Sequence, residues 1–398
     1  MLTHAEIFNY KSVAHADLAF EAETVIVGQN GVGKSNLLDA LHFARDAAQD
    51  GLDHAITRRH GIASIRRWSK TRPYNITIRL VFNSGTSSGE YKFTISSGGG
   101  DFAVIEEEGR WTAPNPFPEK ESDRSIKTSS FRRIADGTIT FDVPDNPFRG
   151  SQKLPFVPDS ELLLTQLGSN AFSTFSFFFR GLFDQVSSFG AYSIYPNKIR
   201  EPQTISNAEV LADDGTNLAS IIRQMRSTAS RGNREALTNA IRQVLPIVSE
   251  IRIESAGGFY VPVFRVKEQD SGYSHDLNMS QISDGTLRML GMLTAFYQPK
   301  APLKIALEEP EQMIHPGLLP VLLDSARDYL SNRTSRRQIF MTTHSPTLLD
   351  LFNAEDLIGA RFEGGVSKFS RMSNRQMKIV RDRLYTAGEL LVTEGIIA

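Results

Sequence analysis

The stretch Gly28-Gln29-Asn30-Gly31-Val32-Gly33-Lys34-Ser35 sets the class of the whole chain. It fits the pattern G-x-x-x-x-G-K-[ST], after a short apolar strand read over Thr24–Val27 and before a helix read over Lys34–Ala48. Gly28, Gly31 and Gly33 let the backbone curl so that successive N–H groups face phosphate oxygens. The helix N-terminus adds its positive end. Lys34 supplies a point charge for β- and γ-phosphates, and Ser35 a hydroxyl suited to Mg²⁺. Asn30, Gly31, Gly33, Lys34, Ser35 and Asn36 are therefore the candidate nucleotide contacts. Such a pattern arises by chance in on the order of one chain in a hundred of this length. A glycine-rich turn that merely caps a helix is the alternative, and the strand-turn-helix context weighs against it.

Lys304-Ile305-Ala306-Leu307-Glu308-Glu309-Pro310-Glu311 places acids at the carboxyl end of an apolar strand. In parallel α/β sheets that end is where ligands bind. Glu308 is the candidate Mg²⁺ ligand, and Glu309 the candidate that polarises an attacking water. Gln338–Thr342 reads as another buried strand, followed by Thr343-His344-Ser345-Pro346. His344 at that strand end is positioned to sense a γ-phosphate; a loop histidine before a helix start is the simpler reading. Ser283-Asp284-Gly285 opens a helical run, Leu287–Phe296. A serine hydroxyl, a glycine N–H and a helix N-terminus make a second anion site, with Ser283 and Gly285 as candidates. An ordinary N-cap turn explains the same residues.

The 398 residues carry 44 lysines and arginines against 45 acids, which argues against a wholly basic nucleic-acid coat. There are no cysteines, so disulfides and thiolate metal sites are excluded. The N-terminal stretch lacks a signal-peptide pattern, and no apolar run of about 20 residues is present, so a cytoplasmic protein without a membrane span is expected. The aromatic run Phe172–Phe189, broken by Arg180, Asp184 and Gln185, reads as core. Strands are expected over Ala5–Tyr10, Ile76–Phe82, Tyr91–Ile95 and Phe102–Ile105. Residues 110–160 read as loops and short elements, and Gly215–Leu245 as helix. Asp356–Arg361 and Val366–Phe369 read as a hairpin around Gly364-Gly365. Three parts are expected: residues 1–84 and 206–398 as two portions of one head, and 85–205 as an inserted lobe. Arg58-Arg59-His60 and Arg66–Arg72, with Trp68 among them, form a local basic run that either tracks nucleic-acid phosphates or is a solvated face.

These pieces, in this order, resemble ABC ATPases of the SMC/RecF/overcoming-lysogenization-defect branch. Ile7–Ser12 is similar to that branch's first-strand motif, Gly28–Ser35 to its Walker A, and Ser283-Asp284-Gly285 to its shortened signature. Glu308–Glu311 resembles its Walker B, with Glu308 where aspartate is usual. His315-Pro316 falls at the D-loop and His344 at the switch histidine, while Gln166 is the candidate Q-loop glutamine. Asp214–Ala219 and Leu384–Gly395 resemble stand-alone bacterial ATPases called AAA-21-like. The resemblance implies an α/β ABC-type head with a mixed sheet core, an inserted α/β lobe and no long coiled coil. It implies ATP and Mg²⁺ as cofactors, a homodimer or higher oligomer closed by ATP, and work in DNA repair or anti-phage defence. No TOPRIM-like nuclease domain is expected after the last helix, so a separately encoded effector, a nuclease or a toxin, is implied, and DNA is a further candidate partner. A slow ATPase that holds a toxic effector inactive without touching DNA is the competing expectation; a transporter subunit is disfavoured by the shortened signature.

Overall fold

The computed structural model describes residues 1–98, 101–115, 125–144, 151–153, 157–169, 173–267, 272–331, 336–393 and 395–396. The chain forms two compact units. The first comprises Met1–Phe189, Ala354–Tyr385 and Thr393–Ala398, and the second Gly190–Asn353 and Thr386–Val392.

The first unit is built on a mixed sheet. Its strands run in the order Glu23–Val27, Leu357–Glu363, Val366–Arg371, Val13–Ala19, Leu2–Tyr10, Ile76–Asn83, Ser88–Ile95, Val104–Pro114, Ile126–Ile134, Thr138–Asp142 and Ser151–Lys153. Leu357–Glu363 pairs in parallel with Glu23–Val27, and Val366–Arg371 in parallel with Val13–Ala19. The ladders from Leu2–Tyr10 outward are antiparallel. Alternation explains the antiparallel part: Ile76, Ile78, Leu80 and Phe82 are buried and the residues between them are not. The strand before the glycine loop has four consecutive buried residues, Thr24 to Val27, as a strand covered on both faces requires.

Residues 110–160 differ from the expectation of loops. Val104–Pro114, Ile126–Ile134 and Thr138–Asp142 are strands, while residues 116–124, 145–150 and 154–156 of that stretch lie outside the described ones. The local signal is weak because these strands are charged on one face, with Arg132 bridging Glu106 and Glu108 at 2.9 Å each. Cross-strand ion pairs stabilise such a face without any apolar run. The other face carries Phe131, whose ring meets Phe179 edge-on at 5.1 Å. Phe179 belongs to the helix Ser173–Ser187, and it, Phe178 and Phe189 are core as expected, whereas Phe177 is 60% exposed; Phe172 lies outside the described residues. The short helix Leu163–Gly168 begins on a buried carboxylate: Leu163 N and Leu164 N donate to Glu107 at 2.6 and 2.9 Å. Burial pushes the Glu107 carboxyl above its ordinary range, partly offset by those N–H donors.

In the second unit Lys304–Glu308 and Gln338–Thr343 pair in parallel, Glu308 opposite Thr342. Asp284–Tyr297 and Leu319–Leu330 are its principal helices around this pair. A small antiparallel sheet joins Val248–Ala256, Phe259–Lys267 and Ser274–Asn278. The single helix expected over Gly215–Leu245 is two, Leu218–Gln224 and Arg231–Val244, separated by an extended Ser227 (φ −61°, ψ 149°) and the 3₁₀ turn Thr228–Ser230. The Ser227-Thr228-Ala229-Ser230 run explains the break, since short hydroxyl side chains compete with helical hydrogen bonding. Among the described residues no helix exceeds the 16 of Lys34–Gln49, and none is long and apolar enough to cross a membrane.

Lys304 is 2% exposed, and burial pulls its ammonium down to about 7. Between that value and the ordinary lysine range the unfolded chain binds more protons. Stability should therefore rise with pH across that window, and the cost of burial is complete below it. Lys304→Met is expected to flatten this slope and to stabilise the protein at pH 7 by about 2 kcal/mol, because methionine fills similar space without a charge to desolvate. Chemical denaturation of both proteins across that pH range checks it; parallel wild-type and variant curves would refute it.

Candidate functional site

The glycine loop lies wholly in the first unit. Gly31 and Gly33 adopt left-handed backbone conformations, φ 81° and 98°. Gly33 is required for a second reason: a Cβ there would lie 2.0 Å from Ser367 Oγ and 2.7 Å from Ser12 Oγ. At Gly28 a Cβ would lie 2.3 Å from the Ala360 carbonyl oxygen. The loop is thus pressed against the hairpin Leu357–Arg371 and the first-strand turn. Lys34 is 5% exposed, and its Nζ donates to Gly28 O at 2.7 Å and Gln29 O at 3.0 Å. Asn30, Gly31 and Ser35 are exposed around it. A buried ammonium held by carbonyls, beside exposed residues at the start of a 16-residue helix, is chemically suited to a phosphate anion.

Asn36 sits differently. Its Nδ2 donates to Ser12 Oγ at 2.7 Å, and Ser12 Oγ lies 2.6 Å from Ser367 Oγ. Asn36 thus ties the loop helix to the first-strand turn. The basic run is also spent in part on the fold. Arg59 donates to Asp39 and Asp46 at 2.8 Å each, and Arg66 to Ser97 O at 2.5 Å. Burial alone would raise Asp39, but Arg59 and Lys11 more than offset it and hold the carboxyl below its usual range. Trp68 remains 80% exposed. Gln166 Nε2 donates to Glu161 at 2.6 Å.

The acidic strand end lies wholly in the second unit. Glu309 takes a positive φ of 43°, rare for a branched or charged side chain and a mark of a constrained turn. Its N–H donates to Thr342 O at 3.0 Å, and its carbonyl accepts from Arg288 Nη2 at 3.0 Å. Arg288 also donates to Glu308 O at 3.2 Å, so one guanidinium from the helix Asp284–Tyr297 fixes the acidic turn. Glu311, which sequence reasoning left without a role, accepts from Thr343 Oγ1 at 2.5 Å and from His344 N at 3.4 Å. His344 Nδ1 lies 3.4 Å from Glu309 Oε1 and 3.8 Å from Glu311 Oε1. The two strand ends therefore bring Glu309, Glu311 and His344 together, with His344 exposed. The spacing Glu-x-Glu after an apolar strand was the available signal for Glu311.

Glu311 Oε2 is buried without a hydrogen-bond partner among the described atoms. A buried unsatisfied carboxylate oxygen fits a neighbouring cation or its water. No group of three or more His, Asp or Glu is arranged to hold a metal ion among the described residues.

Ser283 is the N-cap of the helix Asp284–Tyr297, its Oγ accepting from Thr286 N at 3.3 Å, and its side chain is exposed. Asp284 is ion-paired with Arg200, which also donates to Ile282 O at 2.9 Å. Gly285 is needed for close approach, since a Cβ would lie 2.5 Å from Met313 O.

A family model described as "AAA domain, putative AbiEii toxin, Type IV TA system" matches residues 24–350. Over 44 residues the chain is 50% identical to the DNA replication and repair protein RecF of two Porphyromonas gingivalis strains. That match takes in 11% of this chain and only 12% of those curated relatives. In fold the chain is similar to an SMC head bound to the C-winged helix domain of ScpA, with a TM-score of 0.52 at 14% identity, over 94% of this chain and 99% of that one. It is similar also to a Pyrococcus furiosus Smc head domain with an extended coiled coil bound to the C-terminal domain of ScpA, with a TM-score of 0.50 at 12% identity, over 96% and 99%.

Proposed function

The chain belongs to the AAA-21 family of SMC/RecF-like ABC ATPases, and on that premise we propose that it binds and hydrolyses ATP as a nucleotide-driven dimerisation switch. The observation that carries this reading is the Lys34 ammonium, buried on the carbonyls of Gly28 and Gln29 within an exposed glycine loop. On ATP binding, Lys34 exchanges those carbonyls for β- and γ-phosphate oxygens, and the N–H groups from Asn30 to Ser35 cradle the chain of phosphates. Ser35 and Glu308 would hold Mg²⁺, which when bound neutralises phosphate charge. Glu309 orients water for attack on the γ-phosphorus and takes its proton as the bond to ADP breaks. His344, at the end of the neighbouring strand Gln338–Thr343, contacts the γ-phosphate beside Glu309. Ser283 and Gly285 serve the nucleotide held by the opposite subunit, so each dimer contains two composite sites.

The exposed Ser283 allows a direct test. Ser283→Arg is expected to bind ATP within about twofold of wild type, because its own glycine loop is intact, yet neither to dimerise nor to hydrolyse. Mixed with Lys34→Ala, each mixed dimer regains one whole site and at most about half of wild-type turnover. Light scattering with ATP checks dimerisation independently of turnover. A Ser283→Arg protein that dimerises and turns over normally reduces Ser283 to a helix cap.

The switch is assigned to a cytoplasmic, DNA-linked role in repair or anti-phage defence, with a separately encoded effector. The similarity to RecF, a DNA replication and repair protein, supports the DNA link, and the ScpA-bound SMC heads support a partner protein. The family's description names a toxin of a toxin–antitoxin system, which favours a second reading: a slow ATPase that holds a toxic effector inactive. The two readings part on whether DNA accelerates turnover.

A further inference from the structure

Val248–Ala256 is the outer strand of the small sheet in the second unit, and among the described residues it pairs only with Phe259–Lys267. Three arginines cover its open edge. Arg242 donates to Val248 O at 3.1 Å and to Ser249 O, Arg234 to Ile251 O at 3.2 Å, and Arg226 to Ile253 O at 3.5 Å. The carbonyls of 249, 251 and 253 are alternate residues, so the guanidinium anchors recur at about 7 Å along the strand. We propose that this arginine row is a seat for the phosphodiester backbone of a nucleic-acid strand.

Four observations carry the assignment. The anchor interval is comparable to the separation of successive phosphates along one strand of nucleic acid. The row lines a groove of about 640 Å³ that also contains Arg231, Glu235 and Glu250. Four arginines against two glutamates leave that lining at a formal +2, and Glu250 is already shared between Arg234 at 2.7 Å and Arg252 at 2.8 Å. A guanidinium has five N–H donors. Arg226 uses one nitrogen for its contact, Arg234 one and Arg242 three, so each retains donors for an anion. The groove lining contains no aromatic side chain on which a base could stack, so recognition is of the backbone and independent of sequence. The same edge contacts block addition of a β-strand, which argues against an extended peptide as the occupant.

This inference rests on the DNA-linked part of the proposed function and not on ATP hydrolysis. Fluorescence anisotropy with a labelled mixed-sequence single strand, and with its duplex, tests it over a salt series. Wild type is expected to bind with a strong salt dependence. Arg226→Ala/Arg242→Ala should lose roughly tenfold or more in affinity, and its log–log salt slope should fall by about 1.5. Arg231→Glu touches no edge carbonyl and is 80% exposed, so it leaves the sheet intact; it should weaken binding by a similar factor. Stronger binding of single strand than duplex, or the reverse, identifies the source of the backbone. If wild type binds and both variants match it in affinity and slope, the groove assignment fails while the DNA link stands. If wild type binds neither nucleic acid, both fail. Displacement of the strand by polyglutamate as readily as by inorganic polyphosphate would indicate an acidic protein partner and overturn the proposal.

Discussion

Glu309→Gln is expected to lower ATP turnover by roughly 1,000-fold while leaving ATP affinity within about threefold, and to accumulate an ATP-bound dimer. The backbone of the acidic turn does not depend on the carboxylate. Glu309 N is held by Thr342 O and its carbonyl by Arg288, and both contacts survive the substitution. Glutamine retains an oxygen that can accept from Gln312, which now bonds to the Glu309 carboxylate. What is lost is the negative charge that orients water and takes its proton. Size-exclusion chromatography with ATP, together with phosphate release, reads both halves of the effect. Turnover near wild type would remove Glu309 from the chemistry. An equal loss of ATP affinity would make the turn a binding element instead.

Lys34→Ala is expected to weaken ATP binding by two to three orders of magnitude, and turnover should fall with it. A charge-assisted hydrogen bond contributes about 1.5–3 kcal/mol, and Lys34 is assigned two phosphate partners. The variant also loses the bonds from Nζ to Gly28 O and Gln29 O, so some loosening of the loop accompanies the loss of charge. Thermal denaturation without nucleotide separates the two: Tm should change by only a few degrees, because the Gln29 side of the loop is already exposed to water. Calorimetric titration with ATP is the decisive measurement, and wild-type affinity would refute the phosphate seat. In the wild type ATP should raise Tm in proportion to the logarithm of its concentration, a response the variant lacks at the same concentrations.

The elements to which the chemistry is assigned are legible in the chain because their signals are local. Gly28–Ser35 encodes a turn, a charge and a helix start within eight residues, and the structure places that loop where the strand Glu23–Val27 meets the helix Lys34–Gln49. The acids after Lys304–Glu308 and the histidine after Gln338–Thr343 follow from short buried runs, and their parallel register brings Glu309, Glu311 and His344 together. Other features depend on partners far away in the chain. Ser12 and Ser367, separated by 355 positions, meet beneath Gly33 and take up the Asn36 amide, so a residue read as a nucleotide contact also braces the fold. Arg59 looks like surface charge in the sequence but neutralises Asp39 and Asp46 inside the first unit. The strands from Val104 to Asp142 escape a local reading because their exposed face is held by cross-strand ion pairs, whose members come from different segments. The arginine row shows in the chain only as Arg226, Arg234 and Arg242 recurring every eight residues across a helix break; that they bind alternate carbonyls of a single strand edge is decided by tertiary pairing. Covalent neighbourhood is enough to write a loop or a strand end; the register of a sheet and the burial of a charge are set by which distant segments pair, and that pairing exists only in the folded chain.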